Sequence, residues 1–272
     1  MKDPRSASSA VLITGAITVM MALTPVASWA APGSPGAGIA ATSHDFTQGN
    51  MAGMSVGGAT TEPVGVCTFC HTPHKALTTK LLWNHTLETK SFSWDDPNTT
   101  AGTKFATIQE DTYKGPTAKC LSCHDGTVAV GDVAWWKEGK PAAPLNPTLL
   151  TGEFKITDSA SKMNGNHPVA MPYPYNNAKS TYNGTTTGDM AVLTEWQSDP
   201  TANNGPNSQI RLFNDSGGGN ITAGPVLAQT GIECSSCHDP HNKAATEDLF
   251  LRAKLTGSTQ ASGYLCLQCH VK

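Results

Sequence analysis

The densest apolar run of this 272-residue chain lies at its N-terminus, over residues 10–27, and nothing after it is comparable. Beyond it, apolar residues come singly or in twos and threes, without sustained helical or strand periodicity. Two short segments depart from that. Residues 127–136 are rich in β-branched and aromatic residues and read as a strand. Residues 246–255 read as a helix, with Thr246 as cap, Glu247 and Asp248 in the first turn and Gly257 past the end. Residues 176–224 are dominated by Asn, Thr, Gly and Ser and read as a loop excursion with at most a short hairpin. Regular structure is therefore expected to be scarce.

Composition sharpens the picture. Hydrophobic residues make up only 38% of the chain, with 26 Gly and 18 Pro, so a broad protein core is hard to build. The apolar N-terminal run follows Lys2 and Arg5, is broken by Thr14, Thr18, Thr24 and Pro25, and ends in Ser28-Trp29-Ala30. That is the pattern of a secretory signal cleaved after Ala30, with no membrane span left afterwards. The formal net charge is −3, and no basic run points to nucleic acid or anionic lipid.

The chemistry lies in the cysteines. All eight fall in four Cys-x-x-Cys-His blocks: Cys67/Cys70/His71, Cys120/Cys123/His124, Cys234/Cys237/His238 and Cys266/Cys269/His270. Two thiols with two residues between them can add to both vinyl groups along one porphyrin edge, and the next residue places an imidazole under the iron. Zinc ribbons and disulfide frameworks also use paired cysteines, but neither calls for a His after every pair. With only 9 His in 272 residues, four such placements are not chance. Four covalent haem c groups are expected, with His71, His124, His238 and His270 as proximal ligands. The expected fold is irregular and loop-rich, with short helices and few strands, wrapped around four stacked haems that serve as the core.

The blocks divide the chain. A signal peptide (1–30) and a flexible arm (31–61) precede a first haem-pair region (62–175). The polar excursion (176–224) separates it from a second pair (225–272). Each pair opens with a block extended to Cys-x-x-Cys-His-x-Pro-His, CTFCHTPH and CSSCHDPH, which reads as a degenerate internal duplication.

Five histidines remain for the far side of the irons: His44, His74, His85, His167 and His241. His74 and His241 lie three residues after a proximal His, too close to pass round the same porphyrin, so each should serve a neighbouring haem. His167 is presented from an extended segment by Pro168. His85 sits in an apolar segment, and His44 on the arm. Met51, Met54, Met163, Met171 and Met190 are competing ligands in principle, but with five spare histidines they read as packing. Bis-His irons are closed to substrate, which favours an electron carrier of low potential over an enzyme. The rival is a multihaem reductase of the nitrite or hydroxylamine type with one open iron.

In these blocks, and in SHDF at His44, LWNHT around His85, CLSCHDGTVAVGD, NHPV at His167 and Phe250-Leu251-Arg252, the chain resembles secreted multihaem cytochromes with doubled CxxCH motifs. It looks closest to the tetrahaem group that includes extracellular cytochrome filaments. The resemblance implies stacked bis-His haems and long-range electron transfer, periplasmic or extracellular, to redox proteins or external acceptors. It also implies, in filament-forming members, a His from one subunit completing a haem of the next. His44 is the residue that would carry that role here, with His85 next.

Overall fold

The computed structural model describes residues 33–46, 50–51, 54–55, 66–76, 81–136, 139–217 and 220–271. The signal-peptide expectation falls outside these residues. Short elements alternate with long irregular connections. In chain order they are β1 (Asn50–Met51), β2 (Met54–Ser55), β3 (Ser91–Phe92), β4 (Ile108–Gln109), α1 (Pro116–His124), β5 (Met171–Pro172) and β6 (Thr181–Tyr182). There follow β7 (Thr185–Thr186), β8 (Phe213–Asp215), β9 (Ile221–Ala223), β10 (Thr230–Ile232), α2 (Cys234–Cys237) and α3 (Leu265–Cys269). Among the described residues no helix is long and apolar enough to cross a membrane.

The largest sheet among the described residues has four antiparallel strands in the order β5-β10-β8-β9, and three two-stranded ribbons pair β1 with β2, β3 with β4 and β6 with β7. Among the described residues the apolar interior is split into three small clusters instead of one core. One gathers Phe92, Trp94, Ile108, Tyr113, Leu121 and Met163 around α1. A second joins Phe46, Phe69, Val130 and Val133, with the Phe46 and Phe69 rings stacked at 4.0 Å. The third is Tyr182, Phe213 and Ile221.

Three sequence expectations are corrected. Residues 176–224 are not simple loop. They carry the β6–β7 hairpin and two strands of the main sheet, because Tyr182, Leu212, Phe213 and Ile221 punctuate the polar stretch and bury. Residues 127–136 form no strand. Val133 and Trp136 make only isolated bridges, and the backbone turns at Val130–Gly131, where Gly131 packs against Asn146 with no room for a side chain. Residues 246–255 form no helix, because Leu249 and Phe250 adopt positive φ (57° and 61°), which ends helical propagation.

The described part of the arm is not free. Over residues 33–46 it docks on the loop after the third block. Gly38 N–H donates to the Asn242 carbonyl (3.1 Å), and Asn242 Nδ2 donates to the carbonyls of Ser34 (2.8 Å) and Gly38 (3.0 Å).

Candidate haem-binding site

Each Cys-x-x-Cys-His block is wound into a helical turn. α1, α2 and α3 carry the second, third and fourth blocks, and the first is a run of turns over residues 66–70. In the first, third and fourth, the His N–H donates to the carbonyl of the first Cys: His71 to Cys67 (2.8 Å), His238 to Cys234 and His270 to Cys266 (both 3.0 Å). α1 is longer because Gly115 and Pro116 supply a favourable start, with Pro at the position where its missing N–H costs nothing.

The duplication seen in the sequence is present in the backbone. In the first block Asn84 N–H bonds the Cys70 carbonyl and Thr72 N–H the Leu82 carbonyl. In the third, Arg252 N–H bonds Cys237 and Asp239 N–H bonds Phe250. Both copies contain a positive-φ pair of bulky residues, Leu81-Leu82 and Leu249-Phe250, and a positive-φ residue four after the His, Lys75 and Asn242. Two separated segments thus share the same unfavourable torsions.

Three of the four block histidines are held in one tautomer. Nδ1 of His71 lies 2.5 Å from the Leu81 carbonyl, Nδ1 of His124 lies 2.8 Å from that of Phe154, and Nδ1 of His238 lies 2.8 Å from that of Leu249. A ring nitrogen facing a carbonyl carries the proton, so Nε2 keeps its lone pair for a metal. The three residues that supply these carbonyls are large, apolar and exposed: Leu81 58%, Phe154 43% and Leu249 65%. Apolar side chains left bare beside these three imidazoles fit an apolar plate lying against them.

Three spare histidines stand opposite proximal ones. Ring centroids are 6.1 Å apart for His71 and His241, 6.2 Å for His124 and His44, and 6.5 Å for His270 and His167. With metal–nitrogen bonds of about 2 Å and roughly 1 Å more to each ring centre, two imidazoles on one iron have centroids about 6 Å apart. The donor set therefore fits bis-His haem.

His44 also stacks on Phe250 at 4.5 Å, and its Nδ1 lies 3.2 Å from the Pro240 carbonyl. Burial pushes its pKa down to about 4, against the pull of the Pro240 bond, and the imidazoles of His124, His241 and His238 lower it further. Burial likewise lowers that of His124. Both rings are thus neutral at neutral pH, the form that binds metal.

His85 is placed differently. It is 2% exposed, its Nε2 lies 3.0 Å from the carbonyls of both Ala129 and Val130, and its Nδ1 lies 3.1 Å from that of Thr86. Both of its ring nitrogens thus lie near backbone carbonyls. His74 is exposed, and its backbone N–H bonds Thr72 Oγ1. Among the methionines, Met163 and Met171 are buried, Met171 Sδ accepts the Ala106 N–H, and Met190 is exposed.

The cysteines are free thiols, and among the described residues no three His, Cys, Asp or Glu side chains converge as a metal site. Burial raises the Cys70 and Cys123 thiols to about 12 and that of Cys237 to about 11. Cys234 N–H donates to Thr117 Oγ1 in α1 (3.2 Å), and Cys120 and Cys234 perturb each other's ionisation, so the second and third blocks abut.

Sequence reasoning missed two groups. Glu233, 1% exposed, joins the second and third blocks, and its position immediately before Cys234 is the only signal of it. Arg252 forms a buried ion pair with Asp239 (3.2 Å) and donates Nε to the carbonyls of Ser235 and His238, bracing the third block.

No curated protein matches the chain. The family described as a doubled CXXCH motif matches residues 225–272, the span of the third and fourth blocks. That match supports a multihaem c-type cytochrome-like protein, one that binds haem c covalently and transfers electrons.

Proposed function

We propose that the chain is an exported tetrahaem c-type cytochrome that conducts electrons through four bis-His haems and performs no catalysis of its own. The observation that carries this reading is the pairing of three proximal histidines with three of the spare ones at 6.1–6.5 Å. Bound haem supplies a one-electron ferric/ferrous couple. The protein's part is to hold each porphyrin edge by two sulfurs, close both axial positions and exclude other ligands. His71 with His241, His124 with His44 and His270 with His167 form three ligand sets. His74 completes His238, since the first and third blocks share one backbone form and His241 of the third already stands opposite His71 of the first.

This arrangement departs from the pairing expected along the sequence. His241 links the third block to the first, Cys234 touches Cys120 of the second, and Cys237 lies within electrostatic reach of Cys266 of the fourth. The third block is thus the meeting point of the other three. A filament joined through His44 is the less favoured reading, because that ring stands opposite His124 of its own chain. All-imidazole ligation and the propionate charges favour low potentials, below zero.

A pyridine haemochrome assay, followed by carbon monoxide titration of the reduced protein, tests the reading. Four haems and no carbon monoxide uptake are expected. Uptake of one equivalent would favour the reductase alternative with an open iron.

A further inference from the structure

One buried carboxylate binds two haem-attachment helices together. Glu233 precedes α2 and is 1% exposed. Its Oε1 accepts the hydroxyls of Tyr113 and Tyr182, the latter at 2.5 Å. Its Oε2 accepts both the backbone N–H (3.0 Å) and the Oγ1 hydroxyl (2.5 Å) of Thr117, in the first turn of α1. Thr117 Oγ1 in turn accepts the N–H of Cys234 (3.2 Å). The same group thus caps α1, which carries the second block, from the residue that opens the third.

The surroundings leave no slack. A Cβ on Gly115 would lie 2.6 Å from Glu233 Oε1 and 2.5 Å from the Tyr113 ring, and one on Gly231 would lie 2.2 Å from the Tyr182 ring. Only at glycine can these backbones approach so closely. Four donors fill the four acceptor sites of an ionised carboxylate, so the hydrogen bonds oppose the burial that raises its pKa. Three residues into α1 from Thr117, Cys120 meets Cys234. In the holoprotein those thiols are thioether sulfurs on two different porphyrin edges.

We propose that Glu233 is a positioning residue for electron passage, fixing the gap between the second and third haems and placing a buried negative charge beside both. The inference rests on the tetrahaem reading, which the haem count tests separately.

The experiment uses full-length holoprotein. In Glu233→Gln, four haems are retained, two of the four midpoint potentials rise while two hold, and the Soret circular dichroism couplet between close haems weakens. Glu233→Asp restores the two potentials toward their original values. Unchanged potentials with an unchanged couplet, or an equal shift of all four, overturn the proposal. If Glu233→Gln does not mature, Tyr182→Phe removes one donor and leaves the Thr117 bonds. An altered couplet with full haem content then supports the proposal, and an unaltered one overturns it.

Discussion

Glu110 is a second buried carboxyl, and it is poorly served. The residue is 0% exposed, Oε1 accepts only the Glu88 N–H at 3.1 Å, and Oε2 has no hydrogen-bonding partner among the described residues. Burial, with smaller contributions from Asp125 and Glu88, raises its pKa from 4.5 to about 8. The folded state therefore holds a proton that the unfolded chain has already lost. Stability contributed by the neutral form is complete below pH 4.5 and declines as pH rises to about 8. At about 1.36 kcal/mol per pH unit, that interval is worth about 5 kcal/mol as an upper bound. Glu110→Gln keeps the shape and cannot ionise, but places a buried amide where no partner exists, costing about 1–3 kcal/mol. Near pH 5 the two effects leave the variant level with the parent or slightly weaker. At pH 8.5 it should be more stable by about 2–4 kcal/mol. Chemical denaturation of the holoprotein at both pH values, with haem retained, measures the difference. Equal stability changes at pH 5 and 8.5 would refute the reasoning.

Other substitutions test separate parts of the account. His44→Ala should leave four haems attached but open one iron, so that the reduced protein takes up about one equivalent of carbon monoxide. His85→Ala should open none, yet cost about 2–5 kcal/mol of stability through the cavity and the stranded carbonyls of Ala129 and Val130, read as a lower unfolding midpoint. Gly131→Ala sets a Cβ 1.9 Å from the Asn146 backbone nitrogen and should destabilise by about 1–3 kcal/mol or block maturation, seen as lost soluble haem protein.

The attachment blocks were legible because a covalent requirement fixes their residue types and spacing, as in Cys234-Ser235-Ser236-Cys237-His238. The spare histidines could be counted, but not matched. That His241 stands opposite His71, and not a haem of its own pair, depends on a tertiary approach of segments far apart in sequence. His85 sits in a segment apolar enough for a haem wall, and the carbonyls that face Nε2 of its buried ring come from residues more than forty positions away. The helix expected over residues 246–255 had a sound cap and a good first turn. It lost to the left-handed pair Leu249-Phe250, which delivers the Leu249 carbonyl to His238. Local propensity yielded there to the turn that brings this carbonyl to the imidazole. The polar stretch hid its strands because single residues, Tyr182, Phe213 and Ile221, do the burying without periodic support.

Low-temperature electron paramagnetic resonance of the fully oxidised, natively purified protein probes the ligand sets most directly. Only low-spin ferric signals, integrating to four spins once interhaem coupling is included, are predicted by imidazoles on both faces of every iron. A high-spin signal approaching one spin per chain would mean that at least one of these histidine pairs does not close around a metal.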